Sequence, residues 1–511
     1  MRNLKIALPA FMAITITLFA CNNDEDIPVN KEVNRKEYNP ENAEWFPGGE
    51  NGTIFMANRF AYRQPMPFID ENPVYYSQFM RGENIFAKSF VPKDNGMGYS
   101  GLGPVYVRNS CIACHPSYGG RGQRVNKYDA DDSRNSYLLV IYKPHEPGMP
   151  LATHFTGMPQ TRAVSPYKPP IDESGIHIQW LEHTDDFGNT YADGTTYSLI
   201  YPEVTIDQKA IIFSEEEFDI DDYAVALEAT IGIYGIGLID AISDEEYRKQ
   251  YDIEQARGYA QGRIGADIEE KDPSNPFQGK HPGRFTYLHT RGTLDNGPGA
   301  NAIWNITNVT RPERTYHYIT DKYAQLMAAD PEVQQALGQT QEQIYSHLMS
   351  KDLPVEFTME DYNAFMVWHR ALAVPAARNL DNPVVQHGKE LFYSKEAGCT
   401  ACHRPEWMTR DEYTPMLELS KQRIFPYTDL LRHDLGMKNP GRAQICRTTP
   451  LWGRGLMYLI SGHEDKMHDL RARNYEEAIL WHEGEALTGK EFFRNLPKAD
   501  RDAMVAFLKA I

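Results

Sequence analysis

The sequence predicts a mainly α fold with a β-containing insertion in its N-terminal half. Three observations carry that prediction. Two pentapeptides share one pattern, CIACH at residues 111–115 and CTACH at 399–403. Each follows a helix-patterned stretch in which glycine and phenylalanine recur at the same spacing, Gly82 and Phe86 in RGENIFAKSF and Gly388 and Phe392 in HGKELF. Between the pentapeptides, residues 131–215 change character. SYLLVIYK, GIHIQWLEH, TTYSLIYPEV and KAIIF are short, rich in β-branched and aromatic residues, and bounded by Gly, Pro and Asp.

The chain opens with MRNLKIALPAFMAITITLFAC, a basic start followed by an apolar run and a cysteine. Residues 1–20 read as a secretory signal peptide, too short for a confident membrane span. LFAC resembles a bacterial lipobox, so Cys21 is expected to be lipidated and to anchor the protein at a membrane surface. Residues 21–50 continue after Cys21 as NNDEDIPVNKEVNRKEY, polar and without apolar period, and read as the tether. Residues 51–375 form the N-terminal unit, with CIACH and the β-rich insertion at about 131–215. EYRKQYDIEQARGYAQG, DPEVQQALGQTQEQIYSHLMS and MEDYNAFMVWHRALAVP read as helices. In the last, Tyr362, Phe365, Trp368 and His369 share a face; it reads as a core helix whose His369 could approach a cofactor. A C-terminal unit spans 380–511.

The formal charge is −18, and removing Arg2 and Lys5 with the signal peptide makes it −20. So acidic a chain is a poor partner for nucleic acid. Six cysteines in 511 residues are too few for a disulfide scaffold. Cys21 belongs to the lipobox, four belong to the pentapeptides, and Cys446 reads as a buried thiol.

Cys-x-x-Cys-His suits covalent haem attachment. Each thiol adds to a haem vinyl group, and the adjacent imidazole takes one face of the iron. A thioredoxin-like disulfide needs only the cysteines within a βαβ unit, and zinc does not require histidine next to the pair twice. Two covalent haems c are therefore expected, attached at Cys111 and Cys114 and at Cys399 and Cys402, with His115 and His403 as proximal ligands. The fold expectation becomes two cytochrome c-like domains. On the far face of the second haem, Met467 is favoured and Met437 is the runner-up, among His433, Met457, His463 and His468. For the first haem, His145, His154, His177 and His183 give no decision, and an open position there would suit peroxide chemistry.

The stretches GLGPVYVRNSCIACH, YADGTTYSL, GIGLIDAI, PGRFTYLHTRGTL, GCTACHRPE, PYTDLLRHDLG, RTTPLWGRG and MHDLRARNYEEAILWHEGEA together resemble the di-haem oxidoreductase (putative peroxidase) family, with a more distant likeness to bacterial di-haem cytochrome c peroxidases. The resemblance runs from about residue 80 to 490. This chain has HDL where relatives commonly read HDG, and HDLG where they commonly read HDMG. What it implies is reduction of hydrogen peroxide, or another small oxidant, at the N-terminal haem. Electrons would arrive through the C-terminal haem from a small redox protein or a quinol-linked donor at the cell envelope. It also implies an acid–base role for Asp240, whose alternative is to flank the helix beginning SDEEY. Trp304 would be an aromatic relay, its alternative a buried structural tryptophan. Calcium would bind near LDNGPGANAIWN. Arg447 and Arg454 are expected to meet haem propionates, since guanidinium geometry suits carboxylates. The alternative to an enzyme is a non-catalytic electron carrier.

Overall fold

Two core clusters draw residues from both halves of the chain, and this governs the architecture. The computed structural model describes residues 36–92, 99–118, 122–258, 262–271, 275–297, 299 and 301–511. The expected signal peptide and the lipidation site Cys21 lie outside them. Residues 40–45 already form a helical turn capped by the Asn39 side chain, with Ala43 in the core and Glu44 paired to Lys389.

Helix α1 (Pro73–Ala87) starts at Pro73, where the missing N–H costs nothing, and is capped by Asn72. A four-stranded antiparallel sheet follows, with β1 (Tyr137–Tyr142), β2 (Ile176–His183), β3 (Leu199–Ile206) and β4 (Ala224–Ala229) in spatial order β1-β4-β3-β2. Its register pairs Tyr137 with Ala229, Val204 with Val225 and Ile176 with Ile206. Three strands match the sequence reading. KAIIF instead lies in a turn with one bridge from Ile211 to Ile171, and AVALEA supplies the fourth strand.

Helix α2 (Asp244–Arg257) begins with three acidic residues after the Ser243 cap and stops at Gly258 in the left-handed region. Helix α3 (Asn301–Thr307) backs the strand leading to CIACH, since Ile306 O accepts from Val107 N at 2.9 Å. The expected helix over DPEVQQALGQTQEQIYSHLMS is two, Pro331–Leu337 and Gln341–Leu348, broken at Gly338. Then come α4 (Met359–Arg370), α5 (Pro383–Tyr393), α6 (Tyr475–Leu480), α7 (Leu487–Asn495) and α8 (Lys498–Ala510).

The mainly α expectation is overturned. The chain is 36% helix and 16% strand with several sheets, and the layout of two cytochrome c-like domains is not found. Residues 31–511 pack as one unit. The physical reason lies in the cores. One cluster joins Phe79, Phe86 and Trp368 to Trp407, Tyr413, Leu430 and Trp452; another joins Tyr191 and Leu199 of the sheet region to Val385, Trp481 and Phe507. Part of the apolar surface of each half is thus buried only against the other. Among the described residues no helix is long and apolar enough to cross a membrane.

Candidate haem sites

Each pentapeptide follows a helix whose glycine lets another helix come close. At Gly82 on α1, an added Cβ would collide with the Ala364 carbonyl and Trp368 of α4. At Gly388 on α5, it would collide with the Ala503 carbonyl of α8. The phenylalanine one turn later packs toward the histidine. Phe86 lies 6.5 Å from the His115 ring and Phe392 lies 6.2 Å from the His403 ring, centre to centre.

CIACH makes one helical turn, Cys111–Cys114, closed by His115 N donating to Cys111 O at 3.0 Å. The Thr230 hydroxyl donates to the Cys114 carbonyl. His115 Nδ1 lies 3.1 Å from Ile231 O. A carbonyl only accepts, so Nδ1 carries the proton and Nε2 keeps its lone pair. CTACH repeats this geometry. His403 N donates to Cys399 O at 2.9 Å, and Nδ1 donates to Tyr427 O at 3.2 Å. Burial pushes both histidines down to about 4, so both rings are neutral at pH 7. In His403 the neighbouring His482 adds to the effect.

None of the five described cysteines is in a disulfide. Burial raises Cys111 and Cys399 to about 12, so neither is a ready thiolate for zinc.

The second motif opens on a cavity of about 420 Å³. Its walls carry Cys399, Cys402 and His403, with Met467, His468 and His482 and the cations Arg447, Arg454 and Lys466. Two thiols and an imidazole beside an apolar space, with guanidinium groups at hand, fit a haem with its propionates. Arg447 donates to Arg284 O at 2.9 Å and is pushed down to about 10 by burial. A second charge in the cavity would therefore be welcome. Arg454 bonds Pro450 O and Thr449.

Of the candidates for the far face, Met467 and His468 line the cavity, and so does His482, which the sequence reading did not single out. Met437 is buried in the core cluster of Val385, Trp481 and Phe507. His433 is committed elsewhere, with Nε2 2.6 Å from Asp429 and Nδ1 3.1 Å from Glu485. Burial opposes its charge, but Asp429, Cys402 and Glu485 raise its pKa far above the ordinary value. Both nitrogens are thus occupied as imidazolium donors. The set Cys402, Asp429 and His433 lies close enough to hold a metal; the ion pair of His433 with Asp429 accounts for two of its three groups.

The first site is bordered by His369 on α4, buried at 2% exposure. Neither of its ring nitrogens has a hydrogen-bond partner among the described residues. Burial, then His115 and Arg370, lower it to about 3. The other histidines weighed for this haem lie elsewhere. His177 pairs with Asp207, His183 stacks on Trp481 at 5.0 Å, and His154 packs on Phe213 and Phe218.

Asp240 is buried with both oxygens engaged, by Leu294 N at 3.0 Å and by the Tyr413 hydroxyl. Tyr413 also receives Arg370 Nε at 3.0 Å, and Arg370 pairs with Asp295. Trp304 on α3 donates to Tyr316 O at 2.6 Å and packs between Tyr316, Tyr318 and Arg314. Nearby, Asn301 Oδ1, Asn305 Oδ1 and Glu270 Oε1 are buried acceptors without partners among the described residues. The two sites meet at a cavity of about 20 Å³, room for one water, lined by Ile231, Tyr234, Trp452, Arg447 and Arg454. Ile231 binds His115, and both arginines also line the second cavity.

No curated protein matches the chain. Among solved structures, Kuenenia stuttgartiensis hydrazine synthase pressurised with 20 bar xenon matches at 16% identity over 32% of this chain and 57% of that one, with a TM-score of 0.21. Backbones that superpose so little say nothing of one another's function. The family model for "Di-haem oxidoreductase, putative peroxidase" matches residues 343–511, which carry CTACH and every residue named on the 420 Å³ cavity. Over this C-terminal third the chain is similar to that family, which supports a haem-binding oxidoreductase in general terms.

Proposed function

We propose that the chain carries two covalent haems c, one at each Cys-x-x-Cys-His, and reduces hydrogen peroxide at the N-terminal haem with electrons received through the C-terminal one. The observation that carries this reading is the shared geometry of the two histidines. Each has Nδ1 tied to a backbone carbonyl and Nε2 left as a donor atom, beside two protonated thiols. A bond of this kind fixes the tautomer and ring orientation of a ligating histidine.

Haem, when bound, supplies an iron that exchanges single electrons and takes a small ligand wherever a face is open. The protein does the rest. Ile231 and Tyr427 orient the proximal rings, and Arg447 and Arg454 balance propionate charge. Peroxide reduction breaks one O–O bond and consumes two electrons and two protons, giving two waters. Near α4, which carries His369, the Tyr413 hydroxyl bonded to Asp240 supports proton movement, and Arg370, paired with Asp295, holds Tyr413 in place. Asp240 acts here through Tyr413. Arg447 and Arg454, which line both the small cavity beside Ile231 and the large one at CTACH, support passage of electrons along that wall. The orphan oxygens of Asn301, Asn305 and Glu270 support a calcium ion, a hard cation suited to such ligands. The donor is a small redox protein or quinol-linked carrier, and the mature protein is lipidated at Cys21 and faces the periplasm or the cell exterior.

The buried, unpartnered His369 favours a second reading, a pure electron carrier, if it occupies the far face of the N-terminal haem in every redox state. Electron paramagnetic resonance on oxidised and half-reduced protein, with and without peroxide, separates the two. An enzyme shows a high-spin N-terminal haem in at least one state and consumes peroxide. Two haems locked low-spin throughout, with no peroxide turnover, would overturn the peroxidase reading.

A further inference from the structure

The sequence offered Met467 for the far face of the C-terminal haem, but the cavity holds a better-placed donor. We infer that His482 is the second axial ligand there, facing His403 across the cavity. The inference rests on the proposed haem at CTACH and adds the coordination of its iron.

The ring centres of His403 and His482 are 6.2 Å apart, with the planes inclined by 43°. Two imidazoles bound through Nε2 to one metal, at about 2 Å per bond, keep their ring centres roughly 6 Å apart. Both rings line the same cavity. His482 Nδ1 donates to Ala478 O at 2.6 Å, as His403 Nδ1 does to Tyr427 O. Each histidine is therefore fixed in the tautomer that leaves Nε2 as the donor atom.

The neighbourhood holds His482 in place from several sides. Asn474 caps α6 by accepting from Glu477 N at 2.9 Å. The chain then leaves the helix with Trp481 N bonded to Glu477 O and His482 N to Ile479 O. Trp481 stacks on His183 and lies under the Arg471 guanidinium at 4.6 Å. Glu483 N donates to Leu435 O at 3.0 Å, and its carboxylate takes the buried Lys490 ammonium at 2.6 Å. A ligand position held by its neighbours in this way is preorganised. Met467 sits in a turn in the left-handed region, φ 72°, and packs against the core cluster of Val385, Trp481 and Phe507.

The test is made on the haem-loaded full chain, with attached haems counted by mass spectrometry. His482→Gly should replace the low-spin ferric signal of the C-terminal haem by a high-spin one, and added imidazole should restore the low-spin signal. A structural role alone would give no rescue. His482→Met should keep the haem low-spin, add the far-red charge-transfer band of a thioether ligand and raise the midpoint potential, since methionine favours reduced iron. Met467→Leu should change neither spectrum nor potential. If Met467→Leu produces the high-spin signal, or if His482→Gly and His482→Met both keep the wild-type spectrum, the inference is overturned. Absence of haem at CTACH would instead overturn the proposed function.

Discussion

The two Cys-x-x-Cys-His regions are built alike on one side of the motif and differently on the other. On the shared side, a helix glycine admits a crossing helix, a phenylalanine meets the histidine ring, and a backbone carbonyl takes the Nδ1 proton at 3.1 or 3.2 Å. Beyond it, each region holds a second histidine in a different manner. His482 has Nδ1 hydrogen-bonded and its ring 6.2 Å from that of His403. His369 is buried with no hydrogen bond at either nitrogen among the described residues. A tethered histidine is prepared to stay on a metal, whereas an untethered one loses no hydrogen bond when it moves. Under the proposed function, the fixed site suits electron storage and the looser one suits chemistry.

Removing each attachment pair breaks the comparison most directly. Cys111→Ser/Cys114→Ser and Cys399→Ser/Cys402→Ser should each lower the mass by one haem and abolish peroxide turnover. Only the second should remove the low-spin signal tied to His482. A double variant that retains both haems would show that its motif is not an attachment site.

Next comes the support behind His482. The Lys490 ammonium is fully buried between Asp185 at 2.7 Å and Glu483 at 2.6 Å. Lys490→Met strands two carboxylates, one of them also without solvent, at a cost of about 3–5 kcal/mol. Denaturant unfolding should show that loss, and Asp185→Asn/Lys490→Met should recover a large part of it. An unchanged midpoint in the single variant would mean that the pair holds nothing in place.

Acid should weigh on the other region through His369. Its folded pKa of about 3 lies below the unfolded value near 6.5. The neutral ring thus contributes its full share above pH 6.5, and that share is lost as pH falls from 6.5 toward 3, because the unfolded chain binds the proton first. Between pH 6.5 and 5 the loss is roughly 2 kcal/mol for one such group. His369→Phe should flatten the pH profile of unfolding by one proton, and an unaltered slope would place the titration elsewhere.

The two motifs were legible because the proposed covalent attachment would fix spacing in the sequence itself: Cys111, Cys114, His115 and their counterparts stand out directly. The repeated Gly82/Phe86 and Gly388/Phe392 spacing was legible for the same reason, since one glycine and one aromatic a helical turn apart suffice to seat a crossing helix beside a ring. His482 was not legible. It stands 79 residues after His403, beyond a hairpin and several turns, and no local period ties it to the motif. Its role arises only where the end of α6 meets the cavity. His433 was misleading in the opposite sense, because nothing in HDLG reveals that Asp429 and Glu485 occupy both its nitrogens. The mainly α reading failed through the cores. Glycine- and proline-broken helices joined by loops share one interior with a sheet, and that sharing depends on contacts between distant segments.

The smallest effect tests the shared side. An alanine at Gly388 would thrust its Cβ into the Ala503 carbonyl, whose backbone belongs to α8 and cannot move alone. At Gly82 the added Cβ would meet the Ala364 carbonyl and the Trp368 Cβ, also parts of a packed helix. Overpacking of this kind costs about 1–3 kcal/mol. Alanine in a helix interior returns roughly 0.5–1 kcal/mol through its lower backbone entropy. Net destabilisation of about 1–2 kcal/mol is therefore expected in each variant, read as a lower unfolding midpoint. The spectral consequences should differ even where the stability losses agree. Gly388→Ala parts α5 from α8 and shifts Phe392 against His403, whose iron has His482 on the other face, so the low-spin signal should survive. Gly82→Ala parts α1 from α4, which carries the untethered His369, so the N-terminal haem signal should shift. Equal insensitivity of both haems to their glycines would mean that the helix crossings hold the fold and leave the two far faces alone.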